Sequence, residues 1–296
     1  MKSIKITMIA LIITLSFTAC SGQTNSEKEP IQAYIQHAPT THHEVALEVL
    51  KASKEWILQF NTGNAKACVD RYDKNAVMSA MPFGVKNGIK EISEFWTPFM
   101  ESGATNLVYT NVRIEVVNET TVFLSANWSM NVGEGVIYQE KWEKKNGEWL
   151  YTYDNFEVLK QYETPRKNNT NPVASHEALE EVIKASIKWT TGFNTGNGTI
   201  CGNGYSENAT MNAVPFASIN GKKGIKDFWT KLIKDGATNL TYHNPTFQAI
   251  TNNTATLSAS WSMNIGEGKI YQEKWEKKGN EWVLTYDEFQ VLKQYK

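Results

Sequence analysis

Trp128-Ser129-Met130-Asn131-Val132-Gly133-Glu134-Gly135 returns, with one conservative change, as Trp261-Ser262-Met263-Asn264-Ile265-Gly266-Glu267-Gly268. The offset is 133 residues, and carrying it outward lays residues 43–162 over 176–295 without a gap. Trp56 falls on Trp189, Trp96 on Trp229, and Phe60-Asn61-Thr62-Gly63-Asn64 on Phe193-Asn194-Thr195-Gly196-Asn197. About half of the paired positions are identical, which marks a duplication. Two units of this length are too long and too few for a solenoid. Each must bury its own core, or bury it against its twin. The chain therefore divides into a leader (1–20), a tether (21–42), a first domain (43–162), a linker (163–175) and a second domain (176–296).

Within one copy the helical signal comes first and the strand signal after. Val45, Val49, Ala52, Trp56 and Phe60 recur at three- and four-residue spacing, one apolar helix face that Gly63 ends. A short helix is expected over Ala65–Tyr72, then a strand around Ala76–Met81. Ile92, Phe95, Trp96, Phe99 and Met100 give a second helical stripe, interrupted near Pro98 and stopped at Gly103. From Leu107 the period changes to two: Val122, Leu124, Ala126, Trp128 and Met130 alternate with polar neighbours. Gly133-Glu134-Gly135 and Asn146-Gly147 read as turns, the second a tight-hairpin signal. The last two strands are expected over Val136–Lys145 and Glu148–Leu159. The implied class is α+β: two tandem cone-shaped domains, each with helices packed on a curved antiparallel sheet.

The leader has Lys2 and Lys5, an apolar stretch Ile6–Phe17, and Phe17-Thr18-Ala19-Cys20 as a small-residue processing site. The apolar stretch is short for a permanent membrane span. Cys after Thr-Ala resembles the lipobox of bacterial lipoproteins, which implies lipidation at Cys20 and a protein anchored in the cell envelope, facing periplasm or cell surface. Membrane contact is expected through that lipid alone. The net charge of −1 falls to −3 without Lys2 and Lys5. With no basic stripe, nucleic acid is not the expected partner. Cys68 and Cys201 occupy registered positions and read as two small buried thiols, an inter-copy bridge being the alternative.

The order of elements, the Phe-Asn-Thr-Gly-Asn bend, Gly88-Ile89-Lys90 with Phe95-Trp96, and the closing run Tyr138-Gln-Glu-Lys-Trp142 through Gly147, Trp149 and Asp154 to Phe156 resemble the nuclear-transport-factor-2-like superfamily, in its SnoaL-like and ketosteroid-isomerase-like branches. The resemblance implies a cone whose sheet and helices enclose an apolar pocket. In the isomerases a carboxylate base removes a proton beside a carbonyl, and acidic donors stabilise the oxyanion. By position, the base falls near Ala80 or Met81, and near Ala213 or Val214 in copy two, none of which accepts a proton. The helix-one Tyr falls on Trp56 and Trp189, and the other acid near Gln139 or Glu140, with Gln272 or Glu273 as its partner. Superfamily members also dimerise through the outer face of the sheet. A linker of about twelve residues spans on the order of 40 Å, enough for the copies to pack sheet to sheet as an intramolecular pseudo-dimer. The row Ser125, Asn127, Ser129, Asn131 is either that interface or a solvated face.

Asp154, on the alternation face of Leu150 and Phe156, and Glu140, with Tyr138 and Trp142, are the candidate acid or base groups: a carboxyl on an apolar face has a raised pKa if it lines a pocket, and pairs or caps if it does not. Trp56, Phe60, Tyr72, Trp96, Tyr138, Trp189 and Trp229 are the candidate ligand-binding side chains. The histidines His37, His42, His43, His176 and His243 show no metal-ligand spacing, and His42 and His43 are expected in solvent before the first helix. No Gly-x-Ser-x-Gly elbow or phosphate cradle is present, so neither cofactor nor metal is expected.

The copies differ in their helices. Ile57-Leu58-Gln59 becomes Thr190-Thr191-Gly192, Ala65 becomes Gly198, and Val69-Asp70-Arg71 becomes Gly202-Asn203-Gly204. An interior Gly costs a helix roughly 1 kcal/mol against Ala, so copy two has the weaker helical lid and copy one is the better candidate for a functional cavity. The expected function is binding of a small apolar molecule. The alternatives are a non-catalytic assembly module for envelope proteins, and a SnoaL-like isomerase, cyclase or dehydratase.

Overall fold

The computed structural model describes residues 37–167 and 169–295; the leader with Cys20 and most of the tether lie outside them. Copy one runs α1 (Thr41–Asn61), α2 (Ala65–Asp70), β1 (Tyr72–Met81), β2 (Gly84–Asn87), α3 (Gly88–Glu101), β3 (Val108–Asn118), β4 (Thr121–Met130), β5 (Gly133–Lys145) and β6 (Glu148–Gln161). Copy two repeats it as α4 (Ala174–Asn194), α5 (Gly198–Asn203), β7 (Tyr205–Val214), β8 (Ala217–Asn220), α6 (Lys222–Lys234), β9 (Thr241–Thr251), β10 (Thr254–Met263), β11 (Gly266–Lys278) and β12 (Glu281–Gln294). The whole apolar stripe of α1 is buried, and so are Val122, Leu124, Ala126, Trp128 and Met130 on β4. Cys68 and Cys201 are free, buried thiols.

Two local expectations need correction. The short helix stops at Asp70, and Tyr72 opens β1. The β4–β5 turn is Asn131-Val132, while Gly133-Glu134-Gly135 is already strand. These glycines serve close approach rather than turning. A Cβ at Gly135 would lie 1.9 Å from the carbonyl oxygen of Glu157 and 2.6 Å from Cζ2 of Trp128, its cross-strand partner. Asn146 and Gly147 do make a tight turn, both with positive φ (53° and 87°), as a two-residue hairpin of this kind needs.

The described strands form one sheet in the order β2-β1-β6-β5-β4-β3-β9-β10-β11-β12-β7-β8. Neighbours are antiparallel except β1 with β6 and β7 with β12, which are parallel. The copies join edge to edge rather than face to face: Arg113, Ile114 and Glu115 on β3 pair with Gln248, Phe247 and Thr246 on β9. Pairing these two strands removes an exposed edge from each copy.

All five histidines gather at this join. His43 is fully buried, bonds Ser186 Oγ through Nε2 at 3.0 Å, and packs on the rings of Tyr242 and Phe247. His176 mirrors it, bonding Ser53 Oγ at 3.0 Å and packing on Tyr109. The Lys54–Glu180 ion pair lies between the same helices. His37 and His243 share a hydrogen bond of 3.1 Å, and His42 stacks on His37 while accepting from the Asn244 backbone N–H. The solvent expectation for His42 and His43 is therefore wrong: α1 starts at Thr41, and its first turn is covered by copy two.

Burial drives His43 down to about 3, with His42 and His37 adding to the effect, and His176 to about 3, with Lys54 adding. His42 and His243 fall to about 4, burial leading and His37 next. The unfolded chain therefore binds protons that the fold refuses, and this stability, complete above pH 6.5, is lost as pH falls towards the folded values. Replacing His43 and His176 together by Gln should lower stability near neutral pH but steadily close the gap to the parent as pH falls from about 6.5 to about 3. Urea titrations across that range check it; a gap that does not change with pH contradicts it.

Candidate functional site

Two bulges decide what points into the copy-one cone. On β6, Thr152 is the extra residue between Tyr151, opposite Trp142, and Tyr153, opposite Lys141. This puts Tyr151, Asp154 and Phe156 on the buried face, with Trp149, while Leu150 is only half-buried. On β5, the register shifts between Ile137 and Gln139, which turns Tyr138 outward and leaves Ile137, Glu140 and Trp142 inside. Simple alternation misplaces both Leu150 and Tyr138 for this reason. Tyr138 is 54% exposed and donates to Glu157 at 2.6 Å, outside the cone.

Asp154 and Glu140 are cross-strand neighbours, both buried. Tyr72 OH donates to Asp154 Oδ2 at 2.6 Å, and Trp96 Nε1 donates to the Tyr72 oxygen at 3.2 Å. Glu140 accepts from Tyr109 OH and from Trp142 Nε1, each at 3.0 Å. Burial raises both carboxyls well above the ordinary range; for Glu140 the neighbouring Asp154 adds to it, and the aromatic donors oppose it. The pair thus favours its protonated forms, able to donate to an acceptor or, once ionised, to take a proton.

The cone holds a cavity of about 50 Å³, lined among others by Trp56 of α1, Phe95 and Trp96 of α3, Tyr109 of β3, Trp128 of β4, and Asp154 and Phe156 of β6. Phe83, 46% exposed on the β1–β2 turn, also lines it and packs on Phe95 with ring centroids 5.9 Å apart. Among the described residues Asp154 is the sole carboxyl on this wall. Copy two has a cavity of about 30 Å³ whose wall includes both Asp287 and Glu273. Leu284 stands there where copy one has Tyr151, whose ring packs on Trp142 at 3.8 Å. The glycines of copy two do not unmake its helices. A Cβ at Gly192, Gly198 or Gly202 would meet Ile200, Thr230 or Lys226 at 2.5–2.6 Å, so these glycines let α5 pack closely against α4 and α6. Copy two also has an open surface groove of about 720 Å³, flanked by Lys184, Lys188, Lys222, Glu181 and Glu281.

Of the candidate ligand-binding residues, Trp56 and Trp96 lie on the copy-one wall and Trp189 and Trp229 on that of copy two. Phe60 packs behind them, against Trp56 and Trp96, and Tyr72 stands behind Asp154 as its donor. Tyr109, Trp128 and Phe156 belong to the wall but were not among the candidates; for Trp128 the inward alternation of β4 was a usable signal. Trp56 Nε1 donates to the Cys68 carbonyl at 3.1 Å. Trp128 Nε1 and its counterpart Trp261 Nε1 are buried with no hydrogen-bond partner among the described residues. Ala80, at the base position that the resemblance implies, is a fully buried apolar side chain. Among the described residues no group of three or more His, Cys, Asp and Glu side chains is placed to hold a metal ion, and no helix is long and apolar enough to cross a membrane.

No protein-family model matches the chain, and no curated protein matches it. Solved structures similar to it include an uncharacterised protein with a cystatin-like fold from Caulobacter vibrioides (TM-score 0.37, 9% identity, 40% of this chain and 91% of that one). Others are a nuclear-transport-factor-2-like protein of unknown function from Pseudomonas putida (0.36, 12%, 39% and 87%) and a nuclear-transport-factor-2-like protein with a cystatin-like fold from Novosphingobium aromaticivorans (0.34, 15%, 39% and 82%).

Replacing Tyr72 by Phe removes the donor to Asp154 while keeping the ring that stacks on Tyr151 at 4.8 Å. The expected cost is about 1–3 kcal/mol, that of a buried polar group losing its partner. Chemical denaturation measures it; an unchanged midpoint would show that the Tyr72–Asp154 bond contributes nothing.

Proposed function

We propose that this chain is a bacterial envelope lipoprotein, anchored through Cys20, whose copy-one cone binds a small, largely apolar molecule. The observation that carries the reading is the copy-one cavity itself: aromatic and aliphatic walls around a single wall carboxyl, Asp154. Binding sites for small molecules are mostly apolar with a few placed polar groups. At about 50 Å³ the closed cavity admits only a few heavy atoms. A larger ligand has to part Phe83 from Phe95, the half-exposed ring of the β1–β2 turn from the α3 ring it packs on. Copy two, with the smaller cavity, serves as the partner that covers the β3 edge and backs Tyr109 with His176.

A second reading is favoured by Asp154: an acid held protonated on a pocket wall suits a SnoaL-like isomerase, cyclase or dehydratase. Under it, Asp154→Asn abolishes turnover while sparing the fold; under the binding reading it only alters affinity.

Native mass spectrometry of the purified protein, before and after exposure to an extract of its own cells, tests the proposal. A discrete added mass is expected on the parent chain, and its loss from Leu107→Trp, which fills the cavity from its wall. A bare chain in both samples overturns the reading and favours solid cones that serve assembly.

A further inference from the structure

The chain has ten tryptophans, five in each copy. In copy one the indole N–H of Trp56 donates to the Cys68 carbonyl, that of Trp96 to Tyr72, that of Trp142 to Glu140 and that of Trp149 to Glu48. In copy two Trp189, Trp229, Trp275 and Trp282 make the registered bonds to Cys201, Tyr205, Glu273 and Glu181. Trp128 and Trp261 alone are buried without a partner among the described residues, and each lines the cavity of its own cone. Leaving a buried donor unpaired is costly, and each such group in a folded protein calls for a reason.

The fold also commits backbone to holding this indole in place. Gly135 lies opposite Trp128, and any side chain there would strike Cζ2 and Cε2 at 2.6 and 2.8 Å; Gly268 makes the same provision for Trp261. Among the described residues neither cavity wall includes a Lys, Arg or His side chain. An anionic ligand would enter without a countercharge, which is expensive. A neutral molecule with one oxygen acceptor fits both the apolar walls and the spare N–H.

We infer that the indole N–H of Trp128 is a selectivity group that recognises an uncharged oxygen acceptor, typically a carbonyl, on an otherwise apolar ligand, and that Trp261 is its counterpart in copy two. This rests on the reading of the copy-one cone as a binding site. In the closed cavity this N–H is covered, so the opening that admits a ligand also has to uncover it for the ligand oxygen.

The probes are cyclohexanone and methylenecyclohexane, which share a shape and differ in presenting oxygen or CH₂. Their affinities are measured by ¹H–¹⁵N NMR titration of the purified protein and of Trp128→Phe. Cyclohexanone should bind the parent about tenfold more tightly, about 1.4 kcal/mol, and the preference should shrink to within about twofold in Trp128→Phe. The Trp128 Nε1–H resonance of the parent should shift with cyclohexanone and stay nearly still with the hydrocarbon, a readout that needs no variant to fold. Equal affinities with an unmoved Nε1–H would overturn the donor role while leaving the cavity reading intact; that result would mean the N–H lies against the Phe156 ring, which Trp128 meets edge-on. Binding of neither probe would sink the cavity reading, and this inference with it.

Discussion

Glu140 and Asp154 face each other across the β5–β6 pair in a cone of aromatic and aliphatic side chains, and burial is the leading influence on both. An ionised carboxylate without a countercharge costs several kcal/mol to bury, so the interior is built to hold the pair protonated and bonded. Tyr72, Tyr109 and Trp142 suit that task because each carries a large apolar body and one polar tip. The Thr152 bulge is needed because regular alternation would not bring Tyr151 and Asp154 to the same face. Copy two keeps the arrangement with Tyr205, Tyr242 and Trp275 around Asp287 and Glu273. The cavity is what remains once these requirements are met.

The two copies have divided this design unequally. The sheets pair through β3 and β9, and the helix of each copy sends a histidine onto the tyrosine that bonds the other copy's glutamate: His176 onto Tyr109, His43 onto Tyr242. Each interior is thus completed by its twin. The divergence lies in the helices, where glycines at 192, 198 and 202 permit close contacts with Ile200, Thr230 and Lys226, and on β12, where Leu284 replaces a tyrosine. The raised carboxyls and the lowered histidines also act on stability in opposite senses. The carboxyl contribution is lost as pH rises through their folded values, and the histidine contribution as pH falls through theirs.

What could be read in the sequence was what repeats with a fixed period. The α1 stripe from Val45 to Phe60 and the β4 alternation from Val122 to Met130 place their side chains correctly, because neither element is interrupted. Where a strand takes an extra residue, period two fails at that point, which is why it puts Tyr138 and Leu150 on the wrong face. Gly133-Glu134-Gly135 has a turn composition but strand geometry, since its glycines answer to Trp128 and to the β6 backbone rather than to φ. The gathering of the histidines was out of reach: His43 and Ser186 are 143 residues apart, and only the β3–β9 join brings them together. Tyr109 escaped because its role depends on Glu140, two strands further on in the same copy.

The account stands on the carboxyl pair being neutral inside the cone. The direct measurement is the side-chain ¹³C carboxyl shift of Asp154 and Glu140, assigned with Asp154→Asn and Glu140→Gln and followed from about pH 3 to about pH 9. Both resonances should remain those of protonated acids through the range near pH 4 where ordinary carboxyls ionise, and move only well above it, each responding to the other. A midpoint near 4 for either group would mean a buried carboxylate stabilised by something other than the aromatic donors, and would contradict the account.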